Sequence, residues 1–139
     1  MRIANKKYTG LNVQFPISQL IVSRRKTVET RTYPLPKKYL NIPLALIETP
    51  GRSARFRSRI IGLVVFSECI RYRNAKHFYS DFLKHRVSSV SPWRWTAAKP
   101  KWGWVISKVQ HIDPPVIFTR KKGIIYTRNV SVDLSGRRA

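Results

Sequence analysis

Lys26, Glu29 and Arg31, with the hydroxyl of Thr27 between them, stand close enough in sequence to act together. They fall in the run Arg24-Arg25-Lys26-Thr27-Val28-Glu29-Thr30-Arg31. The β-branched residues between Thr27 and Thr32 predict a short strand. Residues two apart in a strand point the same way, so Thr27, Glu29 and Arg31 share one face, and Val28 and Thr30 the other. A carboxylate and a guanidinium on one face, with Lys26 at its mouth, make a polar site rather than a strip of core. Lys26 and Arg31 can hold an anion. They can also stabilise charge developing in a hydrolysis in which Glu29 is the base and Tyr33 a spare proton donor. A Glu29–Arg31 ion pair that orients a binding cleft asks less of these residues, and binding is preferred to catalysis.

Charge narrows the partner. The chain has 139 residues, with 28 Lys and Arg against 6 Asp and Glu, a net charge of +22. That length suits one domain, and a basic excess spread along a globular chain points to a polyanion, most often nucleic acid. No basic helix with a broad apolar face suggests a membrane surface. No apolar run reaches the ~18 residues of a membrane span. The first residues lack the apolar core of a signal peptide, so a cytoplasmic protein is expected. Cys69 is the single cysteine, which rules out an internal disulfide and leaves a cysteine zinc site unsupported. His77, His85 and His111 show no ligand spacing with carboxylates; His77 and His85 are expected as a surface pair. No metal or cofactor is expected.

The elements that must position the site follow from periodicity. Residues 1–10 are a basic arm. Leu11 to Phe15 alternates as a half-buried strand, and Pro16 opens a helix running from Ile17 to about Arg25. After the Lys26–Arg31 strand, Pro34 and Pro36 turn the chain into a buried strand from Leu40 to Thr49. Ile60 to Tyr72, apolar on both faces in its middle, is a central strand, with Gly62 marking a bulge. Glu68 within it needs a partner if buried. Asn74 caps a helix over residues 75–86, with Phe78, Tyr79, Phe82 and Leu83 as its core stripe. Lys101 to His111 is a strand carrying Trp102 and Trp104 on one face, where Gly103 lets another chain or a ligand come close. Pro114 and Pro115 break the chain, two short strands lie at Val116–Phe118 and Ile124–Thr127, and residues 131–139 are a flexible tail. The sum is an α+β domain over residues 11–130, a small β-barrel of about six strands with two main helices.

RNA recognition needs cations for phosphates and flat faces or hydrogen bonds for bases. Arg55, Arg57, Arg59, Arg71 and Arg73 bracket the central strand, and Lys99, Lys101 and Lys108 bracket Trp102 and Trp104. Cations interleaved with aromatics suit a groove that stacks bases and tracks phosphates.

The order helix, Lys26-Thr27-Val28-Glu29-Thr30-Arg31, strand with Ile61-Gly62-Leu63-Val64, helix, then Trp102-Gly103-Trp104-Val105 resembles the ASCH family. The resemblance covers roughly residues 11–130 and implies a PUA-like β-barrel with a cleft that takes RNA or a nucleotide. It implies Lys26, Thr27, Glu29 and Arg31 as the polar residues of that cleft, with Trp104 on its aromatic strand. Arg57, Arg59, Arg71 and Lys108 complete the expected binding set. One branch of the family removes acyl groups from modified cytidine with a Lys, a downstream Glu and a Thr two residues before the Arg. That Thr position is Glu29 here, which argues against the activity. Another branch is ribonuclease, so a ribonuclease or nucleoside-directed hydrolase in the same cleft is the alternative. A basic interaction module of a ribonucleoprotein is the third.

Overall fold

The computed structural model describes residues 6–52, 55–117 and 126–132. Its strands are β1 (Lys6–Gln14), β2 (Val28–Arg31), β3 (Pro43–Thr49), β4 (Arg59–Arg71), β5 (Trp102–Ile117) and β6 (Tyr126–Val132). The helices are short: α1 (Ile17–Val22), α2 (Ala75–Ser80), α3 (Phe82–His85) and one 3-10 turn at Lys37–Tyr39. The strands form one six-stranded sheet in the order β2-β5-β4-β3-β1-β6. It is mixed, since β1 runs parallel to β3 while the other pairs are antiparallel.

Although β2 and β1 are four places apart in that order, the Arg31 side chain of β2 reaches the Asn12 carbonyl of β1. The sheet is therefore curled, and β2 faces β1 across its open side. Among the described residues no ladder joins the two. The architecture is an α+β half-barrel, bridged by a side chain where a closed barrel has a ladder.

The inner face buries Leu11, Val13, Leu44, Leu46, Phe66 and Trp104, with Ile21 of α1 plugging one end. Ala45, Ile47, Ile60, Leu63 and Ile112 form a second cluster. β3 and the middle of β4 are thus covered on both sides, as their continuous apolar runs predict. A third cluster, Tyr72, Phe78 and Val87, seats α2 and α3.

Several local expectations change. The strand β1 starts at Lys6, so residues 6–10 are sheet and not arm: Tyr8 and Gly10 pair with Val130 and Thr127 of β6. Ser131 and Val132, assigned to the tail, end β6; residues 133–139 and the expected strand residues Phe118, Ile124 and Ile125 lie outside the described residues. The first helix stops at Val22 because Arg24 turns left-handed (φ 64°). The second is two pieces broken at Asp81, so only Phe78 of its stripe is buried, while Phe82 and Leu83 are exposed.

Pro114 and Pro115 do not end β5. Ile60 pairs with Val116 and Gly62 with His111, so residues 112–115 bulge out of the ladder, where proline's missing N–H costs nothing. Glu68 is exposed, because the sheet's cover ends at Phe66.

Gly103 does permit a close approach, but from within the chain. A Cβ there would sit 2.9 Å from the Tyr72 hydroxyl and 3.0 Å from Val28 Cγ1. Gly103→Ala is expected to lower stability by about 1–3 kcal/mol, read as a drop in the urea midpoint with unchanged slope.

Candidate ligand-binding cleft

The open side of the half-barrel is a cavity of about 440 Å³. Its walls are Asn12 to Gln14 of β1, Pro16 and Ile17 at the start of α1, and the segment from His85 to Trp93. Lys26, Glu29, Thr30 and Arg31 also line it.

Glu29 is the hub. Arg31 donates to its Oε2 from Nε (3.1 Å) and Nη2 (2.8 Å). The Thr30 amide donates to Oε1 at 3.2 Å, and Lys26 Nζ lies 3.6 Å from the same oxygen. The side chains of Lys26, Glu29 and Arg31 are 4%, 7% and 16% exposed, so three charges are held nearly out of water. Burial alone raises a carboxyl pKa, but Arg31 and Lys26 outweigh it and hold Glu29 below the ordinary range. Burial dominates at Lys26 and lowers its ammonium, against the opposing pull of Glu29. For Arg31 the attraction of Glu29 and Tyr33 overcomes burial and raises the guanidinium further. The three carry one net positive charge when ionised.

Arg31 is fixed from several sides. Nη1 donates to the Tyr33 hydroxyl (3.1 Å), Nη2 to the Asn12 carbonyl (3.1 Å), and the guanidinium carbon lies 5.4 Å from the centre of the Trp104 ring. Trp104 is fully buried, donates to the Tyr33 carbonyl at 3.2 Å and meets Tyr33 and Phe66 edge-on. It therefore supports Arg31 from beneath and has no face for a ligand, contrary to its expected place in the binding set.

Lys26 is held from the helical side. Its ammonium donates to the His85 carbonyl. The His85 ring accepts the Val87 N–H at Nδ1 (2.9 Å), which leaves Nε2–H to donate to the Phe78 carbonyl (2.7 Å). The ring stacks on Phe78 at 4.2 Å. His85 is thus buried and structural instead of a surface partner of His77, which accepts the Arg73 amide.

The remaining expected residues scatter. Thr27 is exposed, and its backbone joins Lys84 and Ile106; Thr30 lines the cavity in its place. Arg59 pairs with Glu48 at 2.8 Å. Arg57 is exposed beside β4, Arg71 stacks over Trp102 at 5.6 Å, and Lys108 lines a separate surface hollow with Arg24. None of these four arginines and lysines lines the cleft. In their place stand Arg86 and Trp93, the latter 47% exposed. Among the described residues no group of three His, Cys, Asp or Glu gathers as metal ligands.

A second buried carboxylate went unseen in sequence. Glu48, fully buried in β3, accepts from Ser18 Oγ (2.6 Å), Gln19 Nε2 (2.6 Å) and Arg59 Nε (2.8 Å). It pins α1, and so the Pro16–Ile17 wall, to the sheet. The signal was present: Glu48 stands in an apolar strand, as Glu68 does.

Acid stability follows from these groups. The carboxyls of Glu29 and Glu48 are held below the usual 4.5, so their stabilisation is present above that value and lost as pH falls through the folded one. Burial lowers His85 below the usual 6.5, so the unfolded chain binds the extra proton first and stability falls once pH drops beneath 6.5. The urea midpoint is expected to rise steadily from pH 4 to pH 7; a flat profile contradicts these placements.

A mixed sheet curled over one core, with short helices and a polar cleft at its open side, defines an α+β half-barrel. Within that class the chain has the fold of ASCH-domain proteins. The crystal structure of ASCH from Zymomonas mobilis matches with a TM-score of 0.68 at 16% identity, over 89% of this chain and 88% of that one. A Tyr-to-Phe mutant of the same protein matches at 0.68 and 16%, over 90% and 91%. A Ser-to-Ala mutant matches at 0.63 and 16%, over 92% of each. Sequence comparison finds no matching family model and no matching curated protein.

Proposed function

We propose that the protein binds RNA or a nucleotide in the cleft between β1 and β2. One observation carries the proposal: Lys26, Glu29 and Arg31 form a nearly buried ion-pair cluster on the floor of an open cavity that has an exposed tryptophan, Trp93, in its wall. Buried charges are costly to fold around and mark sites when they line a cleft. The volume lies in the range of about 300–1,000 Å³ usual for small-ligand pockets. Arg31 and Lys26 supply the attraction for an anion or a base carbonyl, Glu29 accepts from base N–H groups, and Trp93 offers a face for stacking. The net charge of +22 adds long-range attraction for nucleic acid.

Binding fits these residues better than turnover. Glu29 is held ionised by two cations and accepts several hydrogen bonds, which makes it a weak base. The His85 ring has both nitrogens engaged.

Titration with nucleoside monophosphates and short RNA is expected to quench tryptophan emission. Trp93→Ala is expected to abolish most of the quenching and to weaken binding by the ~1–3 kcal/mol of one stacked base, with unchanged thermal stability. Equal affinity in wild type and variant overturns the place of Trp93.

A further inference from the structure

A second cavity, of about 540 Å³, is lined by Trp95, two residues along the chain from Trp93 of the first. It is walled by Arg71, Tyr72 and Arg73 at the end of β4 and by Trp95 and residues 97–100. From the structure we infer that this cavity holds the phosphodiester backbone of a single-stranded nucleic acid whose neighbouring nucleotide occupies the first cleft. The inference rests on the cleft reading for the neighbouring nucleotide and on separate observations for the second cavity itself.

The walls carry cations and no acid. Arg71, Arg73 and Lys99 all line the cavity, all are exposed, and none joins any of the four ion pairs found among the described residues. Like charges gathered without a counterion repel, and a polyanion relieves that repulsion. Lys101, just beyond Lys99 and only 8% exposed, feels the same field: burial first, and then the charge of Lys99, lower its ammonium.

The cavity is built on fixed parts. The Arg71 guanidinium lies over Trp102 at 5.6 Å, so it is already oriented. Tyr72 is 2% exposed and donates to Asp81 at 2.8 Å. Trp95 packs on Phe78 and is tied through its amide to the Tyr79 hydroxyl at 3.2 Å.

Connection to the first cleft is short in sequence. Trp93 lines one cavity and Trp95 the other, two residues apart on one segment. Two residues of chain span at most about 7 Å, so a strand with one base against Trp93 runs on toward the wall that Trp95 shares with Arg71, Arg73 and Lys99. This arrangement of alternating aromatic faces and cations is how sequence-tolerant single-strand grooves work.

The test compares a mononucleotide with a single-stranded homopolymer long enough to span both cavities, as RNA and as DNA, over a range of salt. The variants are Arg71→Ala/Arg73→Ala/Lys99→Ala and, if that variant unfolds, the surface change Lys99→Glu alone. The wild type is expected to bind the homopolymer more tightly than the mononucleotide, with a steeper salt dependence. The triple variant is expected to lose that gain and to reduce the salt slope by about 2, at ~0.7 per phosphate contact, while mononucleotide binding stays as in wild type. Lys99→Glu is expected to lower the slope in the same direction. RNA and DNA losing equally confirms that the backbone is what the cavity holds; a loss confined to RNA points to 2′-hydroxyl contacts and overturns the backbone assignment. An unchanged length gain and slope in the variants overturns the inference. Failure of the cleft reading shows separately, as absence of mononucleotide binding with the variant effect on the homopolymer retained.

Discussion

Glu29→Gln is expected to cost about 3–5 kcal/mol of stability, because it leaves two buried cations without their shared counterion. The side chain keeps its shape and one acceptor oxygen, so lost packing is a small part of the effect. What remains is Lys26 and Arg31 facing each other in a site nearly free of water. The guanidinium cannot shed its proton, so the ammonium of Lys26, already lowered by burial, is the group that gives way. A second substitution then discriminates. Adding Lys26→Met to Glu29→Gln removes the repelling charge and is expected to recover part of the loss. Urea unfolding of the wild type, the single and the double variant measures this; a double variant less stable than Glu29→Gln shows that Lys26 stabilises through its bond to the His85 carbonyl instead.

The other large effect is expected at Trp104. Truncation to Ala removes a fully buried indole packed against Tyr33 and Phe66, at a cost of about 3–5 kcal/mol. It also removes the ring under the Arg31 guanidinium and the bond to the Tyr33 carbonyl. Trp104→Phe retains much of the apolar volume and is expected to cost clearly less. Trp93→Ala is the contrast: a change in binding with little change in stability. Denaturant melts of the three variants side by side separate the core tryptophan from the cleft tryptophan, and equal destabilisation at both positions contradicts the assignment.

The exchange of roles between these tryptophans shows what was legible in the sequence. The shared face of Glu29 and Arg31 was readable, because spacing along a strand decides which side chains point the same way, but Thr27, expected on that face, is exposed and Thr30, expected on the other, lines the cavity. So was the central strand with both faces covered; a close approach at Gly103 was readable too, but not that Tyr72 and Val28 of the same chain make it. Which aromatic meets solvent was not readable, since Trp104 is covered by Tyr33 and Phe66 from other elements and Trp93 by nothing comparable. The basic residues scattered for a related reason. Arg59, Lys108 and Arg71 are spread along the whole ladder of β4 and β5, at the pairs Arg59–Ile117, Val65–Lys108 and Arg71–Trp102, and each answers a different neighbour: Glu48, the Arg24 hollow and Trp102. Glu48 was missed because Ser18 and Gln19 lie in an element distant in sequence; the ring partners of His85, Phe78 and Val87, are close in sequence, but the expectation of one unbroken helix over residues 75–86 hid them. The asymmetry between Glu48 and Glu68 has the same origin: both interrupt apolar runs, and only tertiary cover makes one of them buried.

The central claim is that the charged trio exists to bind and not to hold the fold together. Replacing a buried ionic group whole by apolar side chains of similar size is commonly neutral or stabilising. Calorimetric titration of RNA into the wild type and into Lys26→Met/Glu29→Leu/Arg31→Met therefore tests the claim directly. The expected result is a triple variant that stays folded, melts no lower than Glu29→Gln, and no longer binds. A folded triple variant that binds as tightly as the wild type contradicts the claim.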